Sequence, residues 1–182
     1  YGHRYDWENE ITITAGATQA IFTAISALIH PGDEVIVFKP AYDCYEPAVE
    51  LYGGIIKAVQ LDAPDYKIPW QKVKDLVSDK TKLIIINTPH NPTGYMWTTE
   101  DFNNLKHIVQ NTSAYILSDE VYEHMVFDDQ KHHSICEDEE LAERSIATYS
   151  FGKTYHVTGW KLGYAVAPKA VMTEFRKVHQ YN

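Results

Sequence analysis

Residues 82–87 read Lys-Leu-Ile-Ile-Ile-Asn, with no alternation of polar and apolar positions across the run. A strand of that kind must be covered on both faces, as strands are inside a parallel sheet with helices above and below. The rest of the chain supplies the other parts. Short apolar runs predict further strands at residues 10–16, 34–38, 55–61, 114–120, 144–149 and 162–167. Helical spacing of apolar residues predicts helices at 18–30, 42–52, 70–77, 98–111 and 168–181. Thr98-Thr99-Glu100-Asp101 is a helix-start signal, while Pro31-Gly32 and Gly53-Gly54 close the helices before them. Strands alternating with helices imply βαβ units, and hence a three-layer α/β/α domain around a mostly parallel sheet.

Composition narrows the partners. At 45% hydrophobic residues the 182-residue chain can build a substantial core, and its net charge of −9 argues against nucleic acid or an anionic membrane surface as partners. No apolar run approaches the ~20 residues of a membrane span. Two cysteines, Cys44 and Cys136, do not make a disulfide framework, so a reducing, cytoplasmic compartment is expected. The chain opens on Tyr1 instead of Met and stops inside an expected helix, so both ends are expected to be cuts in a longer protein.

In such sheets ligands bind beyond the carboxyl ends of the strands, so the residues just after each strand matter most. After the first come Ala15-Gly16-Ala17-Thr18 and a helix, whose free N–H groups and partial positive charge suit a phosphate. A plain strand–helix turn capped by Thr18 is the ordinary alternative. After KLIIIN, the prolines and glycine of Thr88-Pro89-His90-Asn91-Pro92-Thr93-Gly94 stiffen a loop that would aim the Asn91 amide, unless it is only a surface turn. Next, Asp119 and Tyr122 follow an apolar strand; a buried carboxylate there calls for a cationic partner, unless Asp119 caps a helix. Lys153 follows residues 144–149 and Gly152; desolvated, it would be a Schiff-base nucleophile, whereas most loop lysines are simply solvated. Lys161 lies eight residues further on. Together these place an anion cradle, an amide, a carboxylate, a tyrosine and two lysines at one sheet edge.

The segments TAGATQAI, PAYDCYEP, NTPHNPTG, SDEVYE and SFGKTYHVTGWKLG, spanning residues 14–163 in order, resemble the motifs of the class I/II, fold type I aminotransferases that use pyridoxal 5′-phosphate (PLP). PAYDCYEP and KTYHVTGWKLG are similar to the methionine and kynurenine/glutamine aminotransferase branch, which includes cysteine-conjugate β-lyases. The resemblance implies that residues 1–182 are the PLP-binding large domain, with a small domain outside this chain. It implies that Lys153 bonds the cofactor aldehyde, that Asp119 pairs with the pyridine nitrogen, and that Asn91 and Tyr122 bond the ring hydroxyl oxygen. Tyr42 would stack on the ring, and Ala17, Thr18, Ser150 and Lys161 would hold the phosphate. Many relatives carry arginine where this chain has Lys161, which offers a point charge in place of a bidentate fork. Lys153, Asp119 and Tyr122 would be catalytic, and Asn91 would also contact substrate. The implied activity is transamination between an L-amino acid (methionine, glutamine or aromatic) and a 2-oxo acid, in a homodimer.

The same motifs are compatible with β-elimination or decarboxylation on PLP, or with a ligand-sensing regulatory domain that has no turnover. His132-His133, with His124 nearby, sits in a polar loop and reads as solvated surface, not as a metal site. Cys136 reads as a bystander, the acidic run 137–140 as a helix start facing water, and Tyr155 and Trp160 as core or interface packing.

Overall fold

The computed structural model describes residues 1–182. In chain order the elements are β1 (Ile11–Thr14), α1 (Ala17–Leu28), β2 (Glu34–Lys39), α2 (Tyr45–Leu51), β3 (Ile55–Gln60), α3 (Trp70–Leu76) and β4 (Thr81–Asn87). Then follow α4 (Thr99–Gln110), β5 (Tyr115–Asp119), α5 (Glu139–Ala142), β6 (Ser145–Ser150), α6 (Phe151–Thr154), β7 (Gly163–Val166) and α7 (Lys169–His179). The seven strands form one sheet in the order β1-β7-β6-β5-β4-β2-β3.

Side chains alternate across this sheet because successive strand residues point to opposite faces. Val35, Val37, Leu83, Ile85, Leu117 and Ile146 pack with Ile21, Ile25, Val49 and Phe175 of α1, α2 and α7. Ile36, Phe38, Ile84, Ile86 and Ile116 pack on the other face with Val73, Leu105, Ile108 and Leu141 of α3, α4 and α5. β4 supplies both layers, which is why its residues 83–86 are apolar without a break. Each fully buried aliphatic side chain contributes about 1.5–3 kcal/mol. The architecture is therefore the expected α/β/α sandwich, and none of its helices is long and apolar enough to cross a membrane.

Strand direction decides what meets at the edge. β7 runs antiparallel to both β1 and β6, while β2 to β6 pair in parallel. The carboxyl ends of β1, β4, β5 and β6 therefore share one edge with the amino end of β7. Lys161, which precedes β7, arrives at that edge because of the reversal.

Two local expectations are corrected. α2 begins at Tyr45, not at 42. Pro47 has no N–H and tolerates only the first helical turn, so a helix begun at 42 would carry it in the interior. At α1 the cap is Gly16, with φ 83°, and Thr18 lies inside the first turn. A Cβ on Gly163 would stand 2.8 Å from Ala17 N and 2.6 Å from Tyr149 O, so glycine there lets β7 run close beneath the start of α1. The helix-start signal before α4 holds: Asp101 N–H donates to Thr98 Oγ1 (3.2 Å), and Asp101 Oδ2 accepts from Thr98 N (2.8 Å).

Candidate active site

At the tip of β5, Asp119 is 3% exposed. Its Oδ2 accepts a 2.5 Å hydrogen bond from Tyr45 Oη, and its Oδ1 lies 3.4 Å from Val121 N. Burial raises its pKa to about 6; the Tyr45 bond, the Val121 amide and the Lys153 charge all pull it back down. This carboxylate is thus short of partners on its cavity side.

The loop after β4 is held from within. Asn87 donates through Nδ2 to the Asp119 carbonyl (2.8 Å) and accepts through Oδ1 from Asn91 N (2.6 Å), so one side chain sets Asn91 against the β5 tip. His90 Nδ1 lies 2.7 Å from Thr93 Oγ1, and burial lowers its pKa to about 4.

Lys153 sits in a single helical turn, α6, where a loop had been expected. Gly152 makes that turn possible: a Cβ there would stand 3.0 Å from the Thr158 Cα, and its carbonyl accepts from Thr158 Oγ1 at 3.1 Å. The half-buried Lys153 amine lies 5.3 Å from the centre of the Tyr122 ring. Tyr42 meets Tyr45 edge to face, with centroids 5.8 Å apart.

The first turn of α1 leaves the Ala17 and Thr18 N–H groups without helical acceptors. Lys161 stands opposite in a left-handed conformation, φ 51° and ψ 54°. For a residue with a Cβ this is strained backbone, of a kind that clusters at ligand clamps.

These parts line one cavity of about 530 Å³, within the range of small-molecule sites. Ala17, Thr18, Tyr42, Asn91, Asp119, Tyr122, Ser150, Lys153 and Lys161, all nine residues singled out from the sequence, face it. Gln19, Val121, Thr158 and Leu162 also line it, and Tyr45 and Asn87 support it from behind; sequence reasoning passed over these. Tyr45 had a usable signal, since the Tyr-x-x-Tyr spacing places it next to Tyr42. Asn87 had another, as a polar residue closing an apolar strand.

One reading outside the cavity is overturned and two are narrowed. His132 is buried, not solvated, and its Nε2 lies 3.0 Å from Glu120 Oε2. Cys136 is also buried, 3.3 Å from Tyr5 Oη and 3.5 Å from Tyr149 Oη. Trp160 and Tyr155 are 77% and 65% exposed, which excludes the core and leaves interface packing of the two readings. The acidic run does start a helix: Asp138 caps α5, accepting from Leu141 N at 3.1 Å.

The uncapped helix start, the two lysines and the partner-poor buried carboxylate match, group for group, a phosphate, an aldehyde and a protonated ring nitrogen. The residues present therefore fit PLP.

The family model for aminotransferase class I and II matches residues 1–181. The methionine aminotransferase of Escherichia coli is 49% identical over 181 residues, covering 100% of this chain and 47% of that protein. The crystal structure of YbdL from Escherichia coli, for which a methionine aminotransferase function is identified, superposes with a TM-score of 0.98 at 49% identity, over 100% of this chain and 48% of that one. Cystalysin from Treponema denticola, whose structure contains a pyridoxal 5′-phosphate cofactor, superposes with a TM-score of 0.90 at 26% identity, over 98% of this chain and 46% of that one. The chain spans about half the length of the curated relatives it matches. With its sheet, its motifs and its cavity in agreement, this chain belongs to the class I and II aminotransferase family.

Proposed function

We propose that the protein is a PLP-dependent aminotransferase acting between an L-amino acid and a 2-oxo acid, with methionine as the first substrate to test. The observation that carries this is the cavity where Lys153, Asp119, Asn91, Tyr122, Tyr42 and the α1 phosphate cradle converge. Identity of 49% to a methionine aminotransferase supports the substrate class. In this reading residues 1–182 are the PLP-binding large domain of a cytoplasmic homodimer. The exposed Trp160 and Tyr155 beside the cavity suit a covered surface, and both cysteines are free.

Each residue has a task that follows from its chemistry. The Ala17 and Thr18 N–H groups, Ser150 and Lys161 would hold the phosphate, with the α1 dipole adding to the lysine charge. Asp119 would accept the ring N–H; a charged hydrogen bond of this kind contributes about 1.5–3 kcal/mol. Asn91 and Tyr122 would bond the ring hydroxyl oxygen, and Tyr42 would lie against the ring face. When bound, PLP supplies the electron sink that stabilises a carbanion at the substrate Cα. Lys153 would bond the aldehyde, and its amine would serve as a positioned general base for the substrate Cα proton. Asp119 would keep the ring nitrogen protonated.

The test is to supply the full-length protein and PLP with L-methionine and a 2-oxo acid. The 4-thiomethyl-2-oxo acid and the amino acid of the second substrate are expected in equal amounts. Product formed without amino transfer, such as ammonia and a thiol, would move the assignment to elimination. No turnover despite PLP binding would move it to a sensing domain.

A further inference from the structure

Glu120 is fully buried and does not line the cavity. It directly follows β5, its N–H still donating to the Thr148 carbonyl of β6, and its bonds to Ser118 and Tyr149 put its side chain on the face opposite Asp119. Its Oε1 accepts from Ser118 Oγ (2.9 Å) and Ile135 N (3.0 Å). Its Oε2 meets His132 Nε2 (3.0 Å) and Tyr149 Oη (3.3 Å). These donors come from β5, from β6 and from the far end of the loop that leaves β5. A buried carboxylate with four donors is costly to disturb, because each group left behind loses its partner.

The loop so gathered carries Tyr122, and β6 leads directly to Ser150 and Lys153. His132 Nδ1 is buried without a hydrogen-bond partner, so Nε2 makes the ring's one hydrogen bond. The network continues outward through Ser134 Oγ, 3.2 Å from Tyr149 Oη, and through Cys136 to Tyr5. The Tyr1 ring packs edge-on against His132, and its hydroxyl bonds Glu123. A chain of contacts thus runs from the N-terminal segment through Glu120 to both sides of the cavity.

We propose that Glu120 is a positioning residue for the cavity: its buried carboxyl group ties the Tyr122-bearing loop to β6 and thereby sets the position of Tyr122, whose ring centre lies 5.3 Å from the Lys153 amine. The loop anchoring stands on geometry alone; its effect on turnover rests on the function proposed above.

The experiment uses Glu120→Gln in the full-length protein, read two ways. In the unloaded protein, hydrogen exchange of residues 121–135 should quicken roughly tenfold or more, the change expected for a lost hydrogen bond to a charged group. Peptides of β4 and α4 should keep wild-type rates. In the PLP-loaded enzyme, Glu120→Gln should lower kcat, and the double variant with Tyr122→Phe should be no slower than Tyr122→Phe alone, within about twofold. General loss of folded protein would not produce that coupling. Should Glu120→Gln fail to fold, Tyr149→Phe removes a single donor and should loosen the same loop to a smaller degree. Unchanged exchange in the loop, or losses that multiply in the double variant, would overturn the proposal. A wild-type protein that binds no PLP would instead count against the proposed function and leave the exchange result standing.

Discussion

Asp119 and Glu120 are neighbours in sequence, both carboxylic acids, 3% and 0% exposed, and they face opposite sides of one sheet. Glu120 has four donors at 2.9–3.3 Å. Asp119 has one strong donor, Tyr45, and a backbone amide at 3.4 Å. The difference is instructive because burial alone would treat them alike. A charge that the fold surrounds with donors serves the structure. A charge left short of donors at a cavity wall raises its own pKa and is completed by whatever enters the cavity.

The contrast predicts opposite responses to the same isosteric change. Asp119→Asn should cost turnover about 3 kcal/mol or more, because a cationic ring nitrogen loses its counter-charge. Tyr122→Phe removes one hydrogen bond and should cost about 1 kcal/mol. Steady-state kinetics on the two variants checks the ranking, and equal losses would break it.

In the unloaded protein the sign should reverse. The folded chain holds the Asp119 proton up to about pH 6, while its ordinary value is 3.8. The folded state therefore binds the proton more tightly, and stability falls as pH rises from about 4 to 6, by roughly 3 kcal/mol for such a shift. Asp119→Asn should remove that slope and be more stable than wild type above pH 6. Denaturant unfolding across pH 4–7 measures this, and an unchanged slope in the variant would erase the distinction between the two acids. Inactivation accompanied by stabilisation is expected of a group kept for function.

The smallest effect is reserved for the support behind Asp119. Tyr45→Phe removes the donor that lowers the Asp119 pKa, so the carboxyl should rise further and PLP affinity should weaken by about 1 kcal/mol. Titrating the cofactor into the variant tests this; unchanged or tighter binding would mean that Tyr45 only fills space.

The sequence made some of this visible for clear reasons. β4 was legible because a strand buried on both faces carries an unbroken apolar run, and β5 because of its shorter apolar run before Ser118 and Asp119. Asp119 stood out as an acid at the end of such a strand, and Lys153 and Lys161 gained meaning from the motifs around them. What escaped depends on contacts between distant segments. The polar loop 127–134 gives no hint that His132 folds inward to Glu120, since its partner lies just past β5, 12 residues earlier. Tyr45 reaches Asp119 across 74 residues. The reversal of β7, which brings Lys161 to the shared edge, is a matter of pairing that local patterns do not carry. The late start of α2 was readable from Pro47, whose missing N–H limits where a helix can begin.

The proposed reaction centres on one bond, from the Lys153 amine to the cofactor aldehyde, in a pocket where Asp119 would balance the ring cation. Borohydride reduction of the PLP-loaded full-length protein, followed by peptide mass spectrometry, reads that bond directly. A pyridoxyl adduct on the peptide bearing Lys153 and absent from Lys161 is the expected result; an adduct on Lys161, or none on either lysine, would contradict it.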